Sequence, residues 1–318
     1  MNILITGVAG FIGSNLAKYC LEKNYKIYGV DNLTLGKLEN ISNFKKNKNF
    51  VFFNYPIHNK NFVNFIIHNL NGTKIDEVWH LAASSDILRG VKNPNLDHRD
   101  TFLTTWKVSE FCKVYEVDKI VFSSTGAVYG NHNSEYIESS TVPNPISSYG
   151  TFKLASENLL RTFQNDFLKT VVTFRFSNVL GPNATHGVIF DFFNKIKNSN
   201  NKLHVLGNGN QQKPYIHVTE LIQGMELISS KVKNTYETIN LGPNDQGVTV
   251  KYIAEKVISK FNKKIDVIYE SSDFGWVGDI PKYKINNNKS NTFGFVPSLS
   301  SKEVVDKAID EIFKEIDF

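Results

Sequence analysis

Apolar runs and amphipathic stretches alternate along the first half of the chain. Residues 2–6, 26–30, 50–53, 77–81, 119–124 and 170–176 read as strands, with apolar clusters such as Ile3-Leu4-Ile5. Residues 12–22, 61–69, 101–115 and 149–166 read as helices. Alternation of this kind predicts an α/β fold with a parallel, doubly wound sheet. After Asn178 the pattern loosens. Helices are expected near 188–198, 218–229, 250–260 and 302–314, with a strand near 237–241. No internal repeat and no long linker interrupts the chain.

Between the first strand and the first helix lies Gly7-x-x-Gly10-x-x-Gly13, one residue longer in its first gap than the GxGxxG dinucleotide fingerprint. A glycine loop alone is a weak signal, since glycines also mark ordinary turns. Its context strengthens it: a strand before, a helix after, then a second strand that ends at Asp31. Small residues let the backbone approach a pyrophosphate, and the helix N-terminus offers N–H donors and a positive dipole end. Asp31 stands where a carboxylate can accept hydrogen bonds from the adenosine ribose, and it would repel a 2′-phosphate. NAD rather than NADP is expected. The competing reading of Asp31, a turn residue in Asp31-Asn32, ranks behind its spacing.

Tyr149 and Lys153 are four residues apart, so on a helix they share one face. Alone, such a pair describes a solvated helix with an incidental aromatic. Upstream, however, Val121-Phe122-Ser123-Ser124-Thr125 runs an apolar strand into hydroxyls. Taking a hydride from a carbon that bears a hydroxyl requires a base for the hydroxyl proton. A free phenol, with a pKa of about 10, ionises too little at neutral pH. A neighbouring ammonium and a positive nicotinamide ring would both favour the phenolate. Thr125 can hold the substrate oxygen as charge develops there. Thr125, Tyr149 and Lys153 are therefore the candidate catalytic residues of an alcohol-oxidising site.

Further segments carry a resemblance. They are Thr6 to Ser14, Val30-Asp31-Asn32-Leu33, Trp79-His80-Leu81-Ala82-Ala83, Val128-Tyr129-Gly130, and Arg175 to Pro182. His186-Gly187-Val188, Leu206-Gly207-Asn208-Gly209, Tyr215-Ile216-His217-Val218 and Gly278-Asp279-Ile280-Pro281 follow in order. With the motifs above, the chain resembles the extended short-chain dehydrogenases/reductases, among them the nucleotide-sugar epimerases of the UDP-galactose 4-epimerase type. The resemblance implies a Rossmann-type NAD-binding domain over 1–176 and a smaller C-terminal α/β substrate lobe over 177–318, with some segments returning to the first domain. It implies cofactor contacts from Gly7, Gly10, Phe11, Ile12, Gly13, Asp31, Asn32, Leu81, Ala82, Ala83, Ser123, Tyr149 and Lys153. Substrate contacts are implied for Thr125, Asn178, Lys213 and Tyr283. A homodimer is implied through helices 101–115 and 153–166.

The departures also bear on function. Related dehydratases usually place acidic residues after the catalytic hydroxyl, whereas Gly126 and Ala127 follow Thr125 here. This counts against dehydration. The family's aspartate near the adenine is replaced within Asn54-Tyr55-Pro56-Ile57, and a frequent asparagine behind the cofactor is Thr101. Lys213 and Trp276 stand where arginines commonly meet the diphosphate, and lysine lacks the bidentate fork of arginine. Tyr283 falls where the resemblance implies a residue facing the sugar's C2 substituent, so its bulk favours glucose/galactose-type sugars over N-acetylated ones.

Composition narrows the partners. At 318 residues, 41% hydrophobic and 21% charged, the chain reads as an ordinary soluble protein large enough for two lobes. Cys20 and Cys112 offer no disulfide framework, and the eight histidines form no ligand spacing, so no metal is expected. No apolar run suggests a membrane span and no leader precedes the first strand, so a cytoplasmic location is expected. The formal charge of +5 comes largely from lysines among asparagines, as in Lys45-Lys46-Asn47-Lys48-Asn49, without the basic stripe of a nucleic-acid binder. The reading is thus an NAD-dependent C4 epimerase of a UDP-hexose. A net 4-dehydrogenase or 4-keto reductase and a nonenzymatic NAD sensor are the alternatives.

Overall fold

The computed structural model describes residues 1–132, 135–199 and 201–316. Seven strands form its main sheet: β1 (Asn2–Thr6), β2 (Lys26–Asp31), β3 (Phe50–Asn54), β4 (Glu77–His80), β5 (Lys119–Thr125), β6 (Thr170–Phe176) and β7 (Tyr236–Leu241). Their order is β7-β6-β5-β4-β1-β2-β3, and every pair is parallel. The chain winds outward from β1 in one direction and from β4 in the other. The switch point between these strands opens a crevice at their C-terminal ends, where open α/β sheets bind ligands.

Both faces of the sheet are covered, which explains the consecutive apolar residues of β1. Successive strand side chains point to opposite faces. Ile3 and Ile5 join one core with Leu16 of α1 (Phe11–Glu22) and Leu221 from the later helix Val218–Lys231. Leu4 joins the other with Phe62 of α2 (Phe62–Leu70), Phe111 of α3 (Thr104–Val114) and Leu160 of α4 (Ser148–Gln164). The second lobe has a separate core. Phe193 of α5 (Val188–Asn198), Ile253 of α7 (Val250–Ile258) and Val304 of α8 (Ser301–Glu315) meet there, α6 being the helix Val218–Lys231.

The sheet strands match their predicted positions to within a residue or so. The helix predicted over 101–115 differs at its start. A wider π turn occupies His98–Leu103 and passes into α3 at Thr104. There the Thr104 and Thr105 hydroxyls donate to the Thr101 carbonyl at 2.9 and 2.8 Å, a side-chain competition that bends helices. Short ribbons in the second lobe were not predicted: Asn178–Leu180 with Tyr215–His217, Gln212–Lys213 with Val248–Thr249, and Lys202–Val205 with Asp266–Tyr269. Strands of two to four residues are too short to show a period. Among the described residues no helix is long and apolar enough to cross a membrane.

Candidate active site

A cavity of about 750 Å³ runs from the glycine loop, across the ends of β4 and β5, to the second lobe. At the first end the backbone itself forms the wall. Gly7 has φ +71°, and a Cβ there would lie 2.8 Å from the Ala82 nitrogen. A Cβ on Gly13 would lie 2.0 Å from the Gly7 carbonyl oxygen. Only glycine permits both approaches, and Gly10, Phe11 and Ile12 line the cavity between them. Ala83 and Leu81 line the opposite side.

Asp31 is 6% exposed and lines the same end with Asn32. Its carboxylate accepts from the backbone N–H groups of Leu33 at 2.8 Å and Ala9 at 3.0 Å. Burial raises its pKa, and those N–H donors oppose the rise. The residue therefore ties the glycine loop to the end of β2 while facing the cavity, which realises the turn role alongside any binding role. Tyr55 and Ile57, from the stretch that lacks the family's aspartate, also form this wall. Thr101 is buried behind it and accepts a hydrogen bond from the Ser84 nitrogen at 3.1 Å.

At the centre, α4 brings Tyr149 and Lys153 against the end of β5. The Ser147 hydroxyl caps the helix by accepting from the Gly150 nitrogen at 3.1 Å. A Cβ on Gly150 would lie 2.7 Å from the Ala127 carbonyl oxygen, so glycine lets the helix approach the turn after Thr125. Tyr149 and Thr125 line the cavity together. Burial pushes the Tyr149 phenol above its ordinary range, nearby Asp97 adds to the rise, and the Thr125 hydroxyl opposes it. Lys153 is 1% exposed and donates to the Ser123 carbonyl oxygen at 2.5 Å. Its Nζ lies 5.9 Å from the centre of the Tyr149 ring. Burial pushes Lys153 down to about 7, and Glu157, one helical turn on, opposes the fall.

Toward the second lobe the cavity meets Asn178, Lys213, Trp276 and Asp279. Lys213 pairs with Asp279 at 2.5 Å and holds its ammonium 4.8 Å from the centre of the Trp276 ring. The lysine and tryptophan found in place of arginines thus form one cluster. Asn178 Nδ2 donates to the Tyr283 hydroxyl at 3.0 Å. Tyr283 is the one predicted site residue that is not part of the cavity wall. Its ring stacks on Tyr136 at 5.1 Å and 10°, within a cluster of Val128, Tyr129 and Ile285, and its hydroxyl touches the cavity-lining Asn178.

Two groups beneath the site escaped the sequence reading. Glu157 accepts from Arg175 at 3.0 and 2.6 Å and from the Ser124 hydroxyl. Its signal was present, because Glu157 extends the Tyr149/Lys153 spacing by another four residues. Asp97 had no such signal.

The NAD dependent epimerase/dehydratase family matches residues 3–242. The chain belongs to that family. It is similar to the UDP-glucose 4-epimerase of Thermus thermophilus, solved as a complex with NAD, at 27% identity and a TM-score of 0.85. That match covers 99% of this chain and 100% of the other. It is also similar to the UDP-glucuronate 4-epimerase of Thermodesulfobacterium geofontis, 26% identical over 318 residues, covering 96% and 94% of the two chains. A third relative is the human dTDP-D-glucose 4,6-dehydratase, 26% identical over 97% of this chain and 89% of its own. This member of the NAD dependent epimerase/dehydratase family stands with the epimerases, which are isomerases, and its cofactor is NAD. The glycine cradle and Asp31 fit that cofactor: backbone can approach a pyrophosphate, and a carboxylate lines the same end of the cavity.

Proposed function

We propose that the protein is an NAD-dependent epimerase that inverts C4 of a UDP-hexose of the glucose/galactose type through a transient 4-keto sugar. The observation that carries this reading is the meeting of Thr125, Tyr149 and Lys153 at the centre of a cavity that continues into the second lobe. Gly126 and Ala127 after Thr125 favour epimerisation over dehydration, which needs an added acid/base pair near the sugar.

Bound NAD supplies an acceptor for the C4 hydride and a donor for its return. Tyr149 takes the proton of the 4-hydroxyl at its phenolic oxygen and later returns it. Thr125 holds the same substrate oxygen as it becomes a carbonyl. Lys153, anchored on the Ser123 carbonyl, favours the phenolate. Asn178 and Lys213 face the diphosphate while the keto sugar presents its other side. Gly7, Gly10, Phe11, Ile12, Gly13, Asp31, Asn32, Leu81, Ala82, Ala83 and Ser123 would hold the cofactor. In this reading Tyr283 supports the diphosphate end of the site through Asn178.

The reading divides the chain into a cofactor unit over 1–176 and a substrate unit over 177–318, with α6 and β7 returning to the first. It includes a cytoplasmic homodimer packed through α3 and α4. Light scattering at micromolar protein tests the dimer, and a monomeric mass removes it.

Incubation with UDP-glucose, UDP-galactose and UDP-glucuronate, followed by NMR and by NADH absorbance, tests the activity. An epimer without net NADH supports the reading. Stoichiometric NADH formation would indicate a dehydrogenase, and bound NAD without turnover would indicate a sensor.

A further inference from the structure

Among the described residues, the buried acid Asp97 has no task in the mechanism. Asp97 ends the short turn Pro94–Asp97 and is 0% exposed. Its Oδ2 accepts from the Ser148 hydroxyl at 2.5 Å, while Oδ1 has no hydrogen-bond partner. Ser148 is the first residue of α4 and the residue before Tyr149. The carboxyl therefore sits at the end of the helix that presents the phenol. On another side, a Cβ added to Gly90 would lie 2.1 Å from Oδ2, so the preceding turn Ile87–Lys92 seals the group from water.

The surroundings give Asp97 no compensating cation. Asp86 and Asp100 are its charged neighbours, and both oppose its ionisation. Asp100 is itself joined to Arg99 at 2.7 Å and faces His58 at 3.2 Å. Arg89 and Lys92, on the sealing turn, are exposed. His98 stacks with Phe102 and Phe152. From α4 comes the Ser148 hydroxyl, with Tyr149 the next residue and near enough to feel the Asp97 charge, and Lys153 one turn on is held by Ser123. Burial raises the Asp97 pKa, while the Ser148 and Ser84 hydroxyls favour its carboxylate. An anion in low dielectric also disfavours a second anion nearby.

We propose that Asp97 is a positioning residue that acts through Tyr149, its carboxylate opposing phenolate formation until a second cation, beyond Lys153, stands beside the phenol. The base is then kept protonated in the absence of a positively charged cofactor ring. Phenolate formation becomes dependent on the cofactor's oxidised form, because only that form carries the added positive charge. The inference rests on Tyr149 being the base proposed above.

The test titrates Tyr149 in the full chain without any sugar, with NAD bound. Ultraviolet phenolate absorbance is measured for wild type and for Asp97→Asn, each corrected by the corresponding protein carrying Tyr149→Phe. Below the midpoint, Asp97→Asn is expected to hold about tenfold more Tyr149 phenolate at a fixed pH. The limb of the kcat–pH profile that reports the base should move to lower pH by the same factor. Asp97→Ser, neutral and smaller against Gly90, serves as the second variant. An unchanged or higher midpoint in a folded neutral variant overturns the proposal, and so does failure of both to fold, which would assign Asp97 to structure alone. A shifted midpoint without turnover on any sugar would uphold it while removing the epimerase reading.

Discussion

Glu157 and Arg175 are joined by two hydrogen bonds, of 3.0 and 2.6 Å, with both side chains almost wholly buried. Arg175 comes from β6, Glu157 from α4, and Ser124 of β5 donates to the same carboxylate. Three elements are thus clamped directly beneath Lys153. Breaking a buried pair by neutralising one partner leaves an uncompensated charge and typically costs about 3–5 kcal/mol. Glu157→Gln is expected to lose stability on that scale in chemical denaturation. A loss near zero would show that the pair does not clamp the helix.

Tyr149→Phe should retain NAD, because the ring and its packing persist while the proton acceptor is lost. Removing a catalytic base costs on the order of 10²–10⁴-fold in rate. Cofactor titration by calorimetry together with epimer formation by NMR checks both halves. Near-wild-type turnover in the folded variant would move the base elsewhere.

Asp31→Ala should weaken NAD by on the order of tenfold, about the weight of one hydrogen bond to a charged group, and lessen the bias against NADP. Because the same carboxylate holds the Ala9 and Leu33 nitrogens, a modest loss of thermal stability should accompany it. Titration of both cofactors into cofactor-stripped protein decides the matter. If neither affinity changes, Asp31 serves only the turn.

Lys153 makes stability depend on pH with a definite sign. Burial holds its folded value near about 7, whereas an unfolded lysine keeps its proton to about 10.4. Between those values the unfolded chain binds the extra proton, so this residue makes the native state more stable as pH rises through the window. The slope approaches about 1.4 kcal/mol per pH unit. Urea denaturation of cofactor-stripped wild type and Lys153→Met should therefore diverge between neutral and alkaline pH, in favour of the wild type. Parallel curves would place Lys153 in the ordinary lysine range.

Features set by short-range spacing were legible before the structure. The strand–glycine–helix entry, Asp31 at the end of β2, and the Tyr149/Lys153 face all depend on residues within a turn or a loop of one another. The partnerships that shape the site are of another kind. Ser148 meets Asp97 across 51 positions, and Lys213 meets Asp279 across 66. Nothing in local periodicity encodes such pairs. Tyr283 shows the same limit: its count from Gly278-Asp279 was readable, whereas the stacking on Tyr136 and the bond to Asn178 were not. Glu157 lies between these cases: its spacing was readable, its partner on β6 was not.

The seventh strand has a further consequence. β7 and α6 come from the second half of the chain, yet β7 forms the edge beside β6 and α6 covers one sheet face. A fragment ending at Phe176 would expose β6 as a raw edge and strip apolar cover from Ile3 and Ile5. Such a surface invites association rather than folding. Exchange of substrate lobes between relatives must therefore splice around residues 215–241 instead of joining two halves end to end. The chain's linear midpoint is not a seam.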